Sequence, residues 1–425
     1  MNDADCIIVG GGLAGLACAR SLVRAGRSVL VLEAAEHVGG RVATDTVAGF
    51  RIDRGFQVYN DAYPEGLRQL DLATLRLGRF DAGAVIAEGG RLRRVADPWR
   101  QPLAAAAAVV TGTIGIADGL RTARLRHDAI TALRAGRLDP DAAATESERT
   151  TADELAARGF SAAFIRRFFV PFFGGVFLER SLDTAAPVFL FDFAMFALGR
   201  ACLPAGGMAA IPSQLAAGLP AGCVKTATRV RAVAPGSVEL TDGSRLSARD
   251  VVVATDRATA ATLLLQEQRG AWTGRADKST RLVAFAADRS PLARPTLLVS
   301  ADERGPIDNL TVPSDVAAGY APPGAALVTV SVRQGFSAVG EPLVEAVREQ
   351  AAGWFGEGAR HWRPLATVSV AHALPDESPA ARRSRPLSPR LAAGLFLCGD
   401  HCGSASINGA LTSGRLAAEA VLGQH

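Results

Sequence analysis

Apolar positions along the chain fall into two patterns. Near-uninterrupted runs at Cys6–Val9, Val29–Leu32, Val251–Thr255 and Leu395–Cys398 suit buried strands, and the Val251 run suits a parallel strand covered on both faces. Alternating or mixed runs predict further strands at Phe50–Tyr59, Cys223–Ala234 and Ser237–Leu246, the last two continuing through a Thr241-Asp-Gly-Ser turn. Short runs from Tyr63 to Asp97, turning at Gly89-Gly90, predict a second sheet, which Ser279–Asp288, Leu310–Ser314 and Leu327–Val332 extend.

Helical spacing predicts a helix from Leu13 to Ala25, stopped at Gly26, and an amphipathic helix over Glu341–Trp354 with Val344, Val347, Ala351 and Trp354 on one face. Thr151-Ala-Asp-Glu154 reads as a capping box whose helix ends at Gly159. Gln101 to Ala117 is uncharged, too short to span a bilayer, and reads as a buried helix that leaves a shallow membrane contact open. Eleven of the 18 phenylalanines lie between Phe160 and Phe196; Phe164, Phe168 and Phe172 share a helical face, and Pro171 is expected to bend or end that helix. Such a stripe serves equally as an aromatic core or as the wall of an apolar tunnel.

The first two apolar runs enclose Gly10-x-Gly12-x-x-Gly15, an alanine-rich helix, and Glu33 at the end of the second strand. Each residue type has a physical task in holding a dinucleotide. Gly10 permits the turn, Gly12 admits a pyrophosphate, and Gly15 lets helix and strand approach, while a carboxylate receives ribose hydroxyls. The phosphates then meet the amide-rich start of the helix, at Leu13 and Ala14. Strand, turn, helix, strand and acid agree, so a dinucleotide-binding unit is expected. Gly39-Gly40-Arg41 follows, with exposed amides and a guanidinium suited to phosphate. No second glycine fingerprint occurs, so nicotinamide is not the expected reductant.

With 425 residues, 48% of them hydrophobic, the chain has material for two or three domains. A net charge of +4 without a basic-aromatic run argues against nucleic acid as a partner. The six cysteines lack paired spacing and read as reduced, placing the protein in the cytoplasm or at the periphery of a membrane; no secretory leader is expected from Met1-Asn-Asp-Ala-Asp5. Lys225 and Lys278 are the only lysines.

The Gly-rich start, Gly39-Gly40-Arg41, Asp53-Arg54-Gly55, Leu203-Pro-Ala-Gly-Gly-Met208, Cys398-Gly-Asp400 and Ala405-Ser-Ile-Asn-Gly-Ala410 together resemble the flavin-containing amine oxidase and phytoene desaturase superfamily. The resemblance implies an α/β fold: a Rossmann-like FAD domain of the glutathione-reductase type, interleaved with an α+β substrate domain. It places the FAD domain at 1–62, 200–268 and 366–425, and the substrate domain at 63–199 and 269–365, its helical part at about 98–199. It also implies noncovalent FAD held by Gly10, Gly12, Leu13, Ala14, Gly15, Glu33, Ala34, Gly40, Arg41, Gly55, Phe56, Val230, Gly399, Asp400, Ser406, Ile407 and Asn408. In that scheme Val230 meets the adenine, Asp400 the ribityl chain, and the amides of residues 407 to 409 the flavin N1 and C2 oxygen.

Two departures bear on the substrate. Ser406 stands where amine oxidases carry a cage aromatic, and near the position of their lysine this chain offers Lys278 or Arg281. The Ala405–Ala410 stretch is more similar to the plant-type carotenoid desaturases, although Asn408 replaces their acid. The expected activity is hydride transfer from an apolar, isoprenoid- or polyene-like small molecule to flavin N5, with oxygen or a quinone as acceptor. A flavin amine oxidase, a non-redox isomerase, or a flavin-binding protein without turnover remain as alternatives. Gln57 and His372 are the candidate catalytic residues; His401 and Tyr59 lie nearby in sequence.

Overall fold

The computed structural model describes residues 3–423 apart from 111, 113, 147, 266, 267, 269–275 and 387. The described residues build two large sheets and two small ones, and the helices on one face of the first large sheet meet the second in one apolar seam. In the first sheet the strands Val224–Lys225, Val29–Leu32, Ala4–Val9 and Arg245–Val253 lie side by side, with Leu395–Leu397 parallel to the end of the last. Ile7, Ile8 and Val9 stand opposite Val251, Val252 and Val253. These runs are uninterrupted because both faces are covered. The helices Leu13–Arg24 and Ile407–Leu422 lie against one face. They approach so closely that a Cβ on Gly414 would fall 2.1 Å from the Ala14 carbonyl oxygen. An antiparallel ribbon, Val230–Ala234 and Ser237–Leu240, extends the other side of Arg245–Val253.

The second sheet runs Arg363–Leu374, Lys278–Ala287, Ala326–Val332, Ile307–Thr311, Leu297–Ser300, Gly83–Glu88 and Arg91–Ala96. Only Leu297–Ser300 and Gly83–Glu88 pair in parallel. Lys278–Ala287 shows what sorts its residues: Val283 and Phe285 pack under the helix Gly340–Phe355, whereas Leu282 and Ala284 pack into the seam with Ile52, Tyr59, Leu203 and Tyr320. Because Arg363–Leu374 is hydrogen-bonded along Lys278–Ala287, the expected return to the nucleotide-binding part at 366 moves to beyond Leu374. The crossing expected near 268 adjoins residues 269–275, which lie outside the described residues, as do Met1 and Asn2.

Other expectations shift for local reasons. The stretch after Tyr63 first forms two short helices, Pro64–Gln69 and Leu72–Leu75. Pro64 sits harmlessly in a first turn, and the Asp71 carboxylate caps the second helix. The capping box begins one residue earlier than read, at Thr150, with Asp153 as its reciprocal partner. Pro171 neither ends nor interrupts its helix. One π turn, Ile165–Phe169, precedes Val170–Phe177 and leaves the proline in the first turn of that helix, where its missing N–H costs little. Phe164, Phe168 and Phe172 stack in a ladder at centroid spacings of 5.4 and 5.5 Å. Phe160, Phe164, Phe169, Phe173, Phe177, Phe189 and Phe191 are buried, so most of the phenylalanine cluster is core.

The run from Gln101 is not a buried helix. Pro102–Val110 packs on Arg91–Ala96 with Leu103 87% and Val110 88% exposed, because a nine-residue helix that is apolar all round cannot press every side against one neighbour. Among the described residues no helix is long and apolar enough to cross a membrane. None of the six cysteines is bonded to another.

Asp53 joins the pieces across the seam. Its carboxylate accepts hydrogen bonds from Thr44 Oγ1 at 2.5 Å, the Tyr320 hydroxyl at 2.6 Å and the Met208 amide at 3.0 Å. Burial raises its pKa, and these three donors oppose the rise. Tyr320→Phe should keep the ring and lose one donor to a buried carboxylate. The expected cost is about 1–3 kcal/mol, seen as a lower midpoint in thermal unfolding, with a smaller loss for the exposed control Leu67→Ala.

Candidate functional site

The site begins at the turn between Ala4–Val9 and Leu13–Arg24. Gly10 has φ +112°, and a Cβ on it would meet the Ala254 oxygen at 2.8 Å; one on Gly15 would meet the Gly10 oxygen at 2.0 Å. Those two glycines are required by the chain itself. Gly12 is different, with φ −74° and nothing within 4 Å of an added Cβ. The backbone does not need glycine there; what glycine preserves is open space at a helix start. The helix has no side-chain cap and no acidic residue in its first turn, so the Leu13 and Ala14 amides face no carboxylate of their own helix. A pyrophosphate fits this cradle.

Glu33 ends Val29–Leu32. Its Oε2 accepts from the Gly11 amide at 2.7 Å and its Oε1 from the Ala35 amide at 2.8 Å, across Ala34. Each oxygen retains a second lone pair. Thr228, two residues before Val230, donates its amide to the Glu33 carbonyl at 2.8 Å, so the Val230 edge lies beside the acid. The Gly39 amide bonds the Gly11 oxygen at 2.8 Å, and Gly40, at φ +57°, passes against Gly12.

Arg41 and Asp400 were expected to hold different parts of a cofactor. They are bonded to each other, Nη2 to Oδ1 at 2.5 Å, and Arg41 Nη1 also donates to the Ala373 carbonyl at 3.0 Å. Gln57 Nε2 donates to the carbonyls of Arg41 (2.7 Å) and Arg54 (3.0 Å), while its Oε1 is buried without a partner among the described residues. Gly55, at φ +96°, turns the chain beneath Thr280, whose methyl would lie 3.4 Å from an added Cβ, and Phe56 follows, partly buried against the seam.

The Gly399 amide, at φ +153°, is held by Ser413 Oγ at 3.0 Å. Ser406 caps the last helix by accepting the Gly409 amide at 2.9 Å. That bond takes one of the three amides expected to face a flavin and leaves those of Ile407 and Asn408. The Asn408 side chain turns the other way, its Oδ1 accepting the Glu65 amide at 2.9 Å.

His372 lies beside Ala373 near the end of Arg363–Leu374, half exposed, with Nδ1 3.0 Å from Asp277 Oδ2. His401 is buried next to Asp400, and burial pushes its pKa down to about 4, so it is neutral near pH 7. Lys278 is paired with Glu179 and donates to the Phe177 carbonyl at 2.9 Å. Arg281 donates to the carbonyls of Phe336 and Ala338. Neither basic residue is therefore free; Thr280, passed over in the sequence, takes the place above Gly55. Ser413 and the partners of Asp53 were also missed, since no spacing rule links residues so distant.

The family model for flavin containing amine oxidoreductases matches residues 13–422. Over 57 residues, 13% of this chain, the sequence is 53% identical to an L-amino acid dehydrogenase of Synechocystis, and over 69 residues, 16% of this chain, it is 45% identical to a putrescine oxidase of Kocuria rosea. These matches cover 12% and 14% of the relatives' own lengths. Solved structures share the fold end to end. A putrescine oxidase bound to putrescine superposes with a TM-score of 0.73 at 16% identity, covering 99% of both chains. A provisionally assigned protoporphyrinogen oxidase from an Exiguobacterium species gives 0.70 at 18% identity, covering 100% of both. With a family model spanning nearly the whole chain, the protein belongs to the flavin-containing amine oxidoreductases.

Proposed function

We propose that this enzyme takes hydride from a C–H bond of a small molecule whose body is apolar, as a dehydrogenase or desaturase does, with an isoprenoid or polyene as the first class to test. The observation that carries this reading is that Lys278, Arg281 and the Ser406 hydroxyl are all engaged in other hydrogen bonds. Partly buried apolar residues on the seam include Phe56, Val58, Val368 and Ile407. An apolar body gains roughly 25 cal/mol per Å2 by covering such groups. Ser406 also supports a place nearer the carotenoid desaturases within the family. Amine oxidation is the second reading, supported by the activities named for the relatives.

FAD, when bound, supplies the hydride acceptor. In this reading Gly12, Leu13, Ala14, Gly40 and Arg41 receive the pyrophosphate, and Glu33, Ala34 and Val230 line the adenosine. Gly55, Phe56, Gly399, Asp400, Ser406, Ile407 and Asn408 line the flavin half. The amide-rich start of Ile407–Leu422 would favour negative charge on the part of the cofactor held beside it. Gln57 offers its buried Oε1 as an acceptor, and His372, tied to Asp277, is the nearest candidate to move a proton. The exposed row Leu103, Val110, Ile116 and Leu120 supports the peripheral membrane contact raised by the sequence, for a protein on the cytoplasmic side. Oxygen and a quinone are the acceptors to compare.

Gly12→Ala should fold as the parent does, because its Cβ enters open space at an ordinary φ, yet lose FAD affinity by about tenfold or more. Thermal unfolding of the flavin-free protein and FAD titration by fluorescence quenching read the two effects separately. Anaerobic mixing with lipophilic polyenes should bleach the oxidised flavin band. Rapid bleaching by amines alone would favour the second reading. Acid precipitation should leave the flavin in solution; flavin retained in the pellet would show a covalent link.

A further inference from the structure

Of the ten large apolar side chains that stand exposed among the described residues, five fall between Trp99 and Leu120: Trp99, Leu103, Val110, Ile116 and Leu120. Single exposed apolar residues are ordinary, whereas a run of them in one stretch marks a surface that something covers. Leu103 and Val110 lie seven residues apart in the helix Pro102–Val110 and share a face, as do Ile116 and Leu120, four apart in the helix Ile116–Arg134. From Gln101 to Ala117 there is no charged residue. The next, Asp118, is buried, its carboxylate accepting the Ser161 hydroxyl at 2.6 Å. The exposed side of this stretch therefore carries no negative charge.

Its flanks are basic instead. Arg124 continues the Ile116 and Leu120 face by one more turn, exposed and without an ion pair among the described residues. On the other flank the Arg126 guanidinium lies 4.4 Å over the ring of Trp99, itself half exposed. Arg100 and Arg126 both donate to the Ala197 carbonyl, at 3.0 and 2.9 Å, and Arg100 lines an open cavity with Arg79, Arg200, Asp61 and Leu198. In that group four guanidiniums meet two carboxylates, Asp61 at 2.9 Å from Arg79 and Asp97 at 3.8 Å from Arg100, so positive charge is in excess. An apolar projection flanked by arginines and a tryptophan has the make-up of an interfacial anchor.

We propose that Trp99, Leu103, Val110, Ile116, Leu120 and Arg124 form a docking surface for an anionic phospholipid bilayer. The four aliphatic side chains enter the boundary between headgroups and acyl chains, Trp99 lies at headgroup level, and Arg124 with the Arg100 and Arg200 group meets lipid phosphates. An arginine stem lies along apolar surface while its head stays wet, which suits Arg124 one turn beyond Leu120. A second copy of this chain would present the same excess of arginine, and like charges disfavour that pairing. The inference rests on the reading of an apolar-bodied substrate and extends it, since a bilayer is where such a molecule is dissolved.

The test is flotation of the FAD-loaded enzyme with vesicles of phosphatidylcholine alone or of equimolar phosphatidylglycerol and phosphatidylcholine. The parent should bind the anionic vesicles about tenfold or more tighter, and rising salt should weaken that binding. Leu103→Glu with Leu120→Glu should lose about tenfold or more of it, and Arg124→Glu should narrow the preference for anionic lipid. Val339→Glu, at an exposed apolar position elsewhere, should float as the parent does. All four substituted side chains are exposed, so the variants should melt with the parent, which thermal unfolding checks. A parent that floats with neither vesicle, or a Leu103→Glu/Leu120→Glu variant that floats unchanged, overturns the proposal. So does a parent that sediments as a dimer without lipid and becomes a monomer on the same double substitution, which would assign the face to a second copy. Failure of the substrate reading looks different: flavin bleached by amines alone while flotation is intact defeats that reading and leaves the lipid surface standing.

Discussion

The carboxylate of Asp53 is the constraint on which the arrangement rests. It gathers a hydroxyl from the Thr44–Val47 hairpin, an amide from the loop after Ala201–Pro204, and a phenol from the short helical turn at Tyr320. The most distant of those donors lies 267 residues from Asp53 along the chain. Each alone is an ordinary hydrogen bond; together they let a charge remain at the centre of an apolar seam. The turn at Gly55, on which Phe56 and Gln57 depend, starts two residues later. An error in the seam would therefore be carried directly into the site.

The nucleotide-binding unit was legible because its physics is local. Turn geometry, helix polarity and a carboxylate at the end of a strand all fall within thirty or so residues, and each has a residue type that does the work best. Gly10 and Gly15 are demanded by backbone contacts, and the sequence reports that demand directly. The second sheet was legible in part, since alternation sorts Val283 and Phe285 from Leu282 and Ala284, but its strands Leu297–Ser300 and Arg363–Leu374 were not read. It was not legible in its pairing order, which depends on contacts between distant segments. Pro102–Val110 was misread for a related reason: composition reports that a helix is apolar, whereas exposure depends on how much of a neighbour is there to cover it.

Around the Gly55 turn and the last helix the sequence singled out side chains without foreseeing their partners. Arg41 and Asp400 were each assigned to a ligand and are bonded to one another. Asn408 was judged by the acid it replaces, while its side chain serves the helix that begins at Pro64. Lys278 and Arg281 were weighed by their distance along the strand; what decides their availability is Glu179 and the carbonyls of Phe336 and Ala338, which no periodicity announces. Motifs specify backbone shape well because shape is local. They specify side-chain partners poorly because a hydrogen bond is settled by whichever donor the whole fold brings within 3 Å.

The ion pair between Arg41 and Asp400 joins residues 359 positions apart in the chain. The glycine turn, Glu33 and Arg41 emerge from the ribosome long before the strand and helix that complete the other half of the site. At a synthesis rate of about 5–20 residues per second, that interval is on the order of tens of seconds. During it the first βαβ segment lacks the helix Ile407–Leu422 that covers it. Completion of this ion pair is thus a late event of biosynthesis, and the apolar face that the last helix covers stays open until then.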